Sequence, residues 1–117
     1  MLEQELEIDP SHYLAKSLLG QLLAALHEQE RAIPLLEEAL AARPGLLDAH
    51  KALGRALVES GKTESGLEHL LIVAKESPDD EQIHFLLAQG YRALGKEIEA
   101  AREMQVHQET LRKLAAQ

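Results

Sequence analysis

Residues 53–78, LGRALVESGKTESGLEHLLIVAKESP, decide the fold, because the same pattern recurs before and after them. The proline that ends this stretch, Pro78, is one of three prolines that stand 34 residues apart, the others being Pro10 and Pro44. A fixed period of this length is typical of a repeat array, in which each unit buries its apolar face against its neighbours.

Positions between the prolines repeat as well. In each unit a leucine is followed by a small residue, a large residue, a second small residue and a further apolar residue. These positions are Leu19, Gly20, Leu23, Ala32 and Leu36 in unit one, Leu53, Gly54, Leu57, Gly66 and Leu70 in unit two, and Leu87, Ala88, Tyr91, Ala100 and Met104 in unit three. The spacing of apolar residues by three and four predicts antiparallel helices over residues 2–9, 11–26, 30–42, 46–60, 63–76, 80–94 and 97–115.

Two glycines stand at the same turn of successive units, Gly61 in unit two and Gly95 in unit three. A glycine there lets the chain leave one helix in the left-handed conformation before the next helix starts. His27 occupies this turn in unit one, which we expect to be strained or altered because histidine tolerates positive φ less well than glycine. Pro34 lies inside the second helix of unit one and predicts a kink or a late helix start.

The charge balance limits the partners that we expect. Twelve basic and twenty acidic side chains give a formal charge of −8, whereas binding to phosphate groups needs clustered basic residues. Nucleic acid and anionic membranes are therefore not expected as partners. No apolar run reaches the roughly 20 residues of a membrane span, so we expect a cytoplasmic protein if this is the whole chain.

Six histidines raise the question of a metal or catalytic site. His50 and His84 stand at equivalent places one unit apart and could approach each other, but no histidine pair has i,i+4 spacing and there is no cysteine. Packing histidines are the favoured interpretation. No serine has the strand-turn-helix setting of a nucleophile, and there is no glycine-rich phosphate loop. We expect no catalytic residue, no metal and no cofactor, and interpret the chain as non-enzymatic.

The repeated positions resemble the tetratricopeptide repeat over nearly the whole chain. The resemblance implies an all-α fold, an α-α superhelix in which antiparallel helix pairs form a right-handed solenoid. Residues Leu2–Pro10 align with Leu36–Pro44, so the chain is expected to open on the second helix of a preceding unit and to be a fragment of a larger protein. The expected single domain would contain a partial repeat at 1–10 and repeats at 11–44, 45–78 and 79–117, the last with an extended C-terminal helix.

In tetratricopeptide arrays the first helix of each unit lines a concave groove, so the resemblance implies a peptide-binding site there. The first helices carry four basic and three acidic side chains, which predicts a neutral to mildly basic groove in an acidic shell. Lys51 and Arg55 lie one helical turn apart and would present donors on the same side. The expected groove residues are Leu14, Ser17, Gln21 and Ala24 from unit one, Asp48, Lys51, Arg55 and Val58 from unit two, and Gln82, Phe85, Gln89 and Arg92 from unit three.

The leading hypothesis from the sequence is a protein–protein interaction scaffold that binds a partner peptide or helix in this groove. The alternative is homo-oligomerisation through the terminal helices, which offer apolar residues for stacking head to tail or as a dimer. These residues are Leu2, Leu6 and Ile8 at one end and Val106, Leu111 and Leu114 at the other.

Overall fold

The computed structural model describes residues 10–117, which form six α-helices. The expected helix over residues 2–9, with Leu2, Leu6 and Ile8, lies outside the described residues. Within the described chain there is no strand, so the all-α class is confirmed. The helices are α1 (Pro10–Ala25), α2 (Gln29–Ala42), α3 (Leu47–Glu59), α4 (Thr63–Glu76), α5 (Ile83–Ala93) and α6 (Glu97–Ala115).

The helices form three antiparallel pairs that stack in chain order, α1 with α2, α3 with α4, and α5 with α6. Each second helix packs against the first helix of the next pair, and the first helices also contact one another along the row α1, α3, α5. This arrangement is an α-α superhelix, and the molecule measures 52 × 34 × 23 Å. Within residues 10–117, no helix is both long enough and apolar enough to cross a membrane.

The repeated leucines and small residues form the core that joins these helices. Leu53, Leu70 and Leu87 are fully buried. Gly54 on α3 lies so close to α4 that an added Cβ atom would be 2.8 Å from the carbonyl oxygen of Gly66. The small residue is therefore required for the two helices of this pair to touch.

The three turns inside the helix pairs have the same backbone conformation. His27 has a φ of 63°, and Gly61 and Gly95 have φ values of 92° and 77°. In the first turn the amide of Glu28 donates to the carbonyl of Leu23 at 2.8 Å, and the other two turns make the equivalent bond. The turn at His27 is not altered, because His27 adopts the left-handed backbone conformation that the two glycines adopt in the other units.

Two features of the helices bear on the sequence-based expectations, namely the start of α5 and the course of α2 at Pro34. Helix α5 begins at Ile83 rather than at residue 80, because Oδ1 of Asp80 accepts hydrogen bonds from the amides of Gln82 and Ile83 at 2.8 and 3.0 Å. At Pro34 a late helix start does not occur, since α2 begins at Gln29 and continues through the proline. Pro34 is the sixth residue of α2, and because it has no amide donor the helix lacks the backbone bond to the carbonyl of Glu30.

Candidate functional site

The three first helices, α1, α3 and α5, border an open pocket of about 600 Å³. This pocket lies along the row of helices that the resemblance to the repeat family identified as the concave groove. Eight of the twelve expected groove residues line it, namely Gln21, Ala24, Asp48, Lys51, Arg55, Gln82, Phe85 and Gln89. The lining is completed by Ala25, His27, Ala52, Glu59 and Leu86.

The other four expected residues do not line this pocket. Leu14 and Ser17 border a neighbouring hollow of about 430 Å³, and the Ser17 side chain is only 3% exposed, with its hydroxyl accepting a bond from Gln21. Val58 is partly buried and packs against the core of units two and three. Arg92 is exposed, with Nε 3.9 Å from a carboxylate oxygen of Glu97. Ser17 and Val58 therefore hold the scaffold together rather than face the pocket.

The basic side chains of the pocket are already paired with carboxylates. Nζ of Lys51 lies 2.9 Å from Oδ2 of Asp80, and Nε of Arg55 lies 3.1 Å from Oε2 of Glu59. Both members of the Lys51–Asp80 pair are partly buried. Among the lining residues, Lys51 and Arg55 balance Asp48 and Glu59, so the pocket has no net charge when His27 is neutral.

Glu59 is the centre of a hydrogen-bonded cluster at the end of the pocket nearest to unit one. Its Oε1 accepts a 2.8 Å bond from Nε2 of Gln29 and lies 3.4 Å from Nδ1 of His27, while Oε2 accepts from Arg55. Partial burial would raise the pKa of Glu59, but the bonds from Gln29 and Arg55 outweigh it and hold that pKa below its usual value. Glu59 is therefore a carboxylate at neutral pH, and it ties α3 to the first helix pair.

Asp80 has the same kind of environment on the other side of the pocket. Partial burial would raise its pKa, but the hydrogen bond from Lys51 and those from the amides of Gln82 and Ile83 lower it below the usual value. The Asp80 carboxylate thus accepts two amide bonds at the start of α5 and also neutralises Lys51, the central cation of the groove. Because this ion pair is internal, Lys51 is not free to attract a distant anionic ligand without breaking it.

The uncharged residues give the pocket its potential to bind a ligand. Nε2 of Gln21 donates one hydrogen bond to Ser17, which leaves its carbonyl oxygen and a second N–H available. Gln89 lies on α5 at the opposite side of the pocket. Phe85 is exposed one helical turn before Gln89 on α5, and its ring centroid lies 5.5 Å from that of His107. Amide groups beside an aromatic ring can bind a peptide backbone and an apolar side chain.

His50 and His84 do not pair with each other, as the sequence had left open. Each binds within its own unit, since Nδ1 of His50 lies 2.9 Å from Nδ1 of His69, and Nδ1 of His84 lies 2.6 Å from Oε1 of Glu103. The two Nδ1 atoms of the first pair point at each other at hydrogen-bond distance, which leaves no space for a metal ion between them. Over residues 10–117, no group of three or more His, Cys, Asp or Glu side chains is placed to hold a metal.

Sequence reasoning missed two chemically distinctive residues of the pocket, Glu59 and His27. Glu59 follows Arg55 by one helical turn, so an i,i+4 rule applied to the groove helix would have found it. His27 gave a weaker signal, because its position in the groove depends on the left-handed backbone of a turn. Glu59 pairs with Arg55, which the sequence analysis had assigned to the groove as a free donor for a ligand.

A row of helical hairpins with an open groove along their first helices defines an α-solenoid built from tetratricopeptide-like units. One tetratricopeptide repeat model matches residues 30–90, just over half of the chain, and a second tetratricopeptide repeat model matches residues 1–46. The chain therefore belongs to the tetratricopeptide repeat family, whose fold is a protein-interaction scaffold and is generally non-enzymatic. No curated protein matches the chain in a comparison of sequences.

Several solved structures share the fold. A mutant form of MamA is 24% identical with a TM-score of 0.82, and the match covers 93% of this chain and 80% of the solved chain. MamA AMB-1 is 23% identical with a TM-score of 0.81, covering 96% of this chain and 66% of the other. The MamA RS-1 ArsTM double mutant is 23% identical with a TM-score of 0.83, covering 98% and 65%. This chain thus spans about two thirds of the length of the last two, and the likeness is one of fold.

Proposed function

We propose that the chain is a non-enzymatic scaffold that holds an extended or helical segment of a partner protein in the concave groove. The observation that carries this proposal is the open pocket of about 600 Å³ that extends across the first helices of all three units. Its volume lies within the range of about 300–1,000 Å³ that is typical of ligand sites. Partner proteins are also the ligands that the repeat family implies.

The charges in the pocket indicate which segment would fit. Lys51 and Arg55 are paired with Asp80 and Glu59, so a strongly acidic segment would have to displace carboxylates that already satisfy these cations. A segment with few charges and one apolar side chain avoids this cost. Its side chain would lie against Phe85, and its backbone would exchange hydrogen bonds with the amides of Gln21 and Gln89.

Selection from a random-peptide display library provides the probe for this site. Peptides that bind the immobilised chain would be titrated into the isotope-labelled protein, and the perturbed amide resonances would be mapped by NMR. We expect the perturbations at Gln21, Lys51, Phe85 and Gln89. Perturbations confined to the outer faces of α2, α4 and α6 would disprove the groove assignment.

A pair of variants tests the same assignment by affinity. Phe85→Ser combined with Gln89→Ala removes the aromatic contact and one amide, and we expect at least a roughly tenfold loss of peptide affinity. Ile72→Ser is the matched control, because Ile72 is an exposed apolar residue on α4 that does not line the pocket. Equal affinity of the groove variant and the control would contradict the proposal.

A further inference from the structure

The lysine, arginine and carboxylate side chains that line the pocket are not all paired. Lys51 pairs with Asp80, and Arg55 pairs with Glu59. Asp48 is the remaining residue of this kind in the lining, and it makes no ion pair with any described residue. Lys51 follows Asp48 by one helical turn on α3, but its ammonium group lies at Asp80 instead.

Asp48 is accessible to a ligand in the groove. It is exposed in the first turn of α3, the middle helix of the groove. Gln21 on α1 and Gln82 on α5 line the pocket on either side of α3, and both are uncharged. Residues 1–9 contain no lysine, arginine or histidine, so no basic side chain of that segment can pair with Asp48. A cation can therefore reach this carboxylate without displacing a basic side chain of the chain itself.

The balance of charge around the pocket favours a cation. Asp80 neutralises Lys51 from outside the lining, and Glu59 neutralises Arg55, so Asp48 carries the excess charge. The whole chain has a formal charge of −8, which attracts cations over a longer range. The carboxylate of Asp48 attracts a basic ligand group and repels an acidic one at the same place, and complementarity of this kind makes an interface specific.

We propose that Asp48 is a binding site for a basic side chain, and that the segment held in the groove carries a lysine or arginine there. This inference rests on the proposed function, since it names the chemistry of the same partner segment. Asp48 and Phe85 line one pocket, so the basic residue stands within a few residues of the apolar side chain that lies against Phe85. The segment that fits has a basic residue beside an apolar one and no acidic residue at this position.

Glu64 provides a matched control for Asp48. It is an exposed carboxylate in the first turn of α4, and it does not line the pocket. Asp48→Asn and Glu64→Gln each remove one negative charge from the chain and from the first turn of a helix. A general attraction between a basic peptide and an acidic protein would weaken equally in both variants, whereas a site at Asp48 responds only to the first.

Parallel selections from the random-peptide display library test the proposal first. The library is selected on immobilised wild type and, separately, on Asp48→Asn. We expect peptides from wild type to be enriched in lysine or arginine within a few residues of an apolar residue. Peptides from Asp48→Asn should lack this enrichment, and those from Glu64→Gln should keep it.

A double-mutant cycle then measures the contact itself. The basic residue of a peptide selected on wild type is replaced by glutamine, and the affinities of both peptides are measured by fluorescence anisotropy. We expect the replacement to weaken binding about three- to fivefold for wild type and Glu64→Gln, and to have little effect for Asp48→Asn. A peptide with glutamate at that position should bind Asp48→Lys more tightly than wild type, a gain that misfolding cannot produce.

The outcomes separate this inference from the proposed function. Selected peptides that lose affinity for Phe85→Ser with Gln89→Ala, but carry no basic residue or show the same loss for wild type and Asp48→Asn, would overturn the site at Asp48 and leave the groove assignment intact. Peptides that bind the Phe85→Ser with Gln89→Ala variant as tightly as wild type would overturn the groove assignment, and the site at Asp48 with it.

Discussion

The Nδ1 atoms of His50 and His69 lie 2.9 Å apart and link α3 to α4. Nε2 of His50 lies 2.8 Å from the carbonyl oxygen of Pro44, so this nitrogen carries a proton and donates it to that oxygen. Nδ1 of a neutral His50 is then the acceptor, and Nδ1–H of His69 is the donor. Only one proton fits between the two Nδ1 atoms, so this link between the helices requires that Nδ1 of His50 carries no proton.

Acid should weaken this link. Burial lowers the pKa of His69, and the nearby His50 lowers it further, whereas Glu68 and Glu37 act in the opposite direction. Since the folded state disfavours the proton, the unfolded chain binds it first as the pH falls below the usual value of about 6.5. The stability contributed by neutral His69 is therefore complete above that pH, and it is lost as the pH falls through the lowered pKa.

A glutamine at position 69 keeps a donor for His50 but cannot be protonated in this range. We expect the melting temperature of His69→Gln to fall less between pH 7 and pH 5 than that of wild type, with thermal unfolding followed by circular dichroism. His12→Gln removes a histidine from α1 and should keep the wild-type slope. Identical slopes for His69→Gln and wild type would show that the pair does not sense acid.

Unit three carries a carboxylate where unit two carries His69. Nδ1 of His84 lies 2.6 Å from Oε1 of Glu103, and Nε2 lies 2.9 Å from the carbonyl oxygen of Pro78. We expect His69→Glu to copy this arrangement, since protonated His50 could then donate through both ring nitrogens. The stability of His69→Glu relative to wild type should increase from pH 7 to pH 5 in the same melting experiment. A variant that loses stability faster than wild type would contradict this.

The close contact at Gly54 predicts a specific sensitivity of the α3–α4 pair. A Cβ atom there would lie 2.7 Å from Cγ of Leu70 as well as 2.8 Å from the carbonyl oxygen of Gly66. We expect Gly54→Ala to reduce the free energy of unfolding by about 1–3 kcal/mol, because the two helices must separate. The control is Gly45→Ala, where no atom lies within 4 Å of the added Cβ. Urea denaturation measures both, and equal midpoints would disprove the packing argument.

Asp80 pairs with Lys51 and also accepts amide hydrogen bonds at the start of α5, and two substitutions separate these roles. Asp80→Asn removes the charge that pairs with Lys51 but keeps an oxygen for the amides of Gln82 and Ile83, and we expect a loss of about 1 kcal/mol or less. Asp80→Ala removes both, and we expect about 1–2 kcal/mol from urea denaturation. Because the pKa of Asp80 is lowered, its contribution is present above the usual value of 3.8 and lost as the pH falls through the lowered pKa. Equal losses in the two variants would show that the N-terminal bonds of α5 contribute nothing.

Much of the candidate site could be located from the sequence, because groove positions recur with the same period as the core. Gln21, Lys51, Phe85 and Gln89 were placed in the groove and line the pocket. The period could not distinguish a side chain that faces the pocket from one that packs beneath it. Ser17 was placed in the groove for this reason, and only its bond with Gln21 and its burial show its structural role.

The repeat period was sufficient to predict the number of described helix pairs, the turns between their helices and the leucines of the core. A 34-residue period places the same residue types on the same helix faces, and the burial of one face per helix then leaves little choice of architecture. The pairing of Lys51 with Asp80 and the pairing of His50 and His84 within their own units emerged from the three-dimensional arrangement alone. Lys51 and Asp80 are 29 residues apart and meet only because unit three stacks on unit two, and such pairings depend on side-chain conformation and helix packing that no spacing rule specifies.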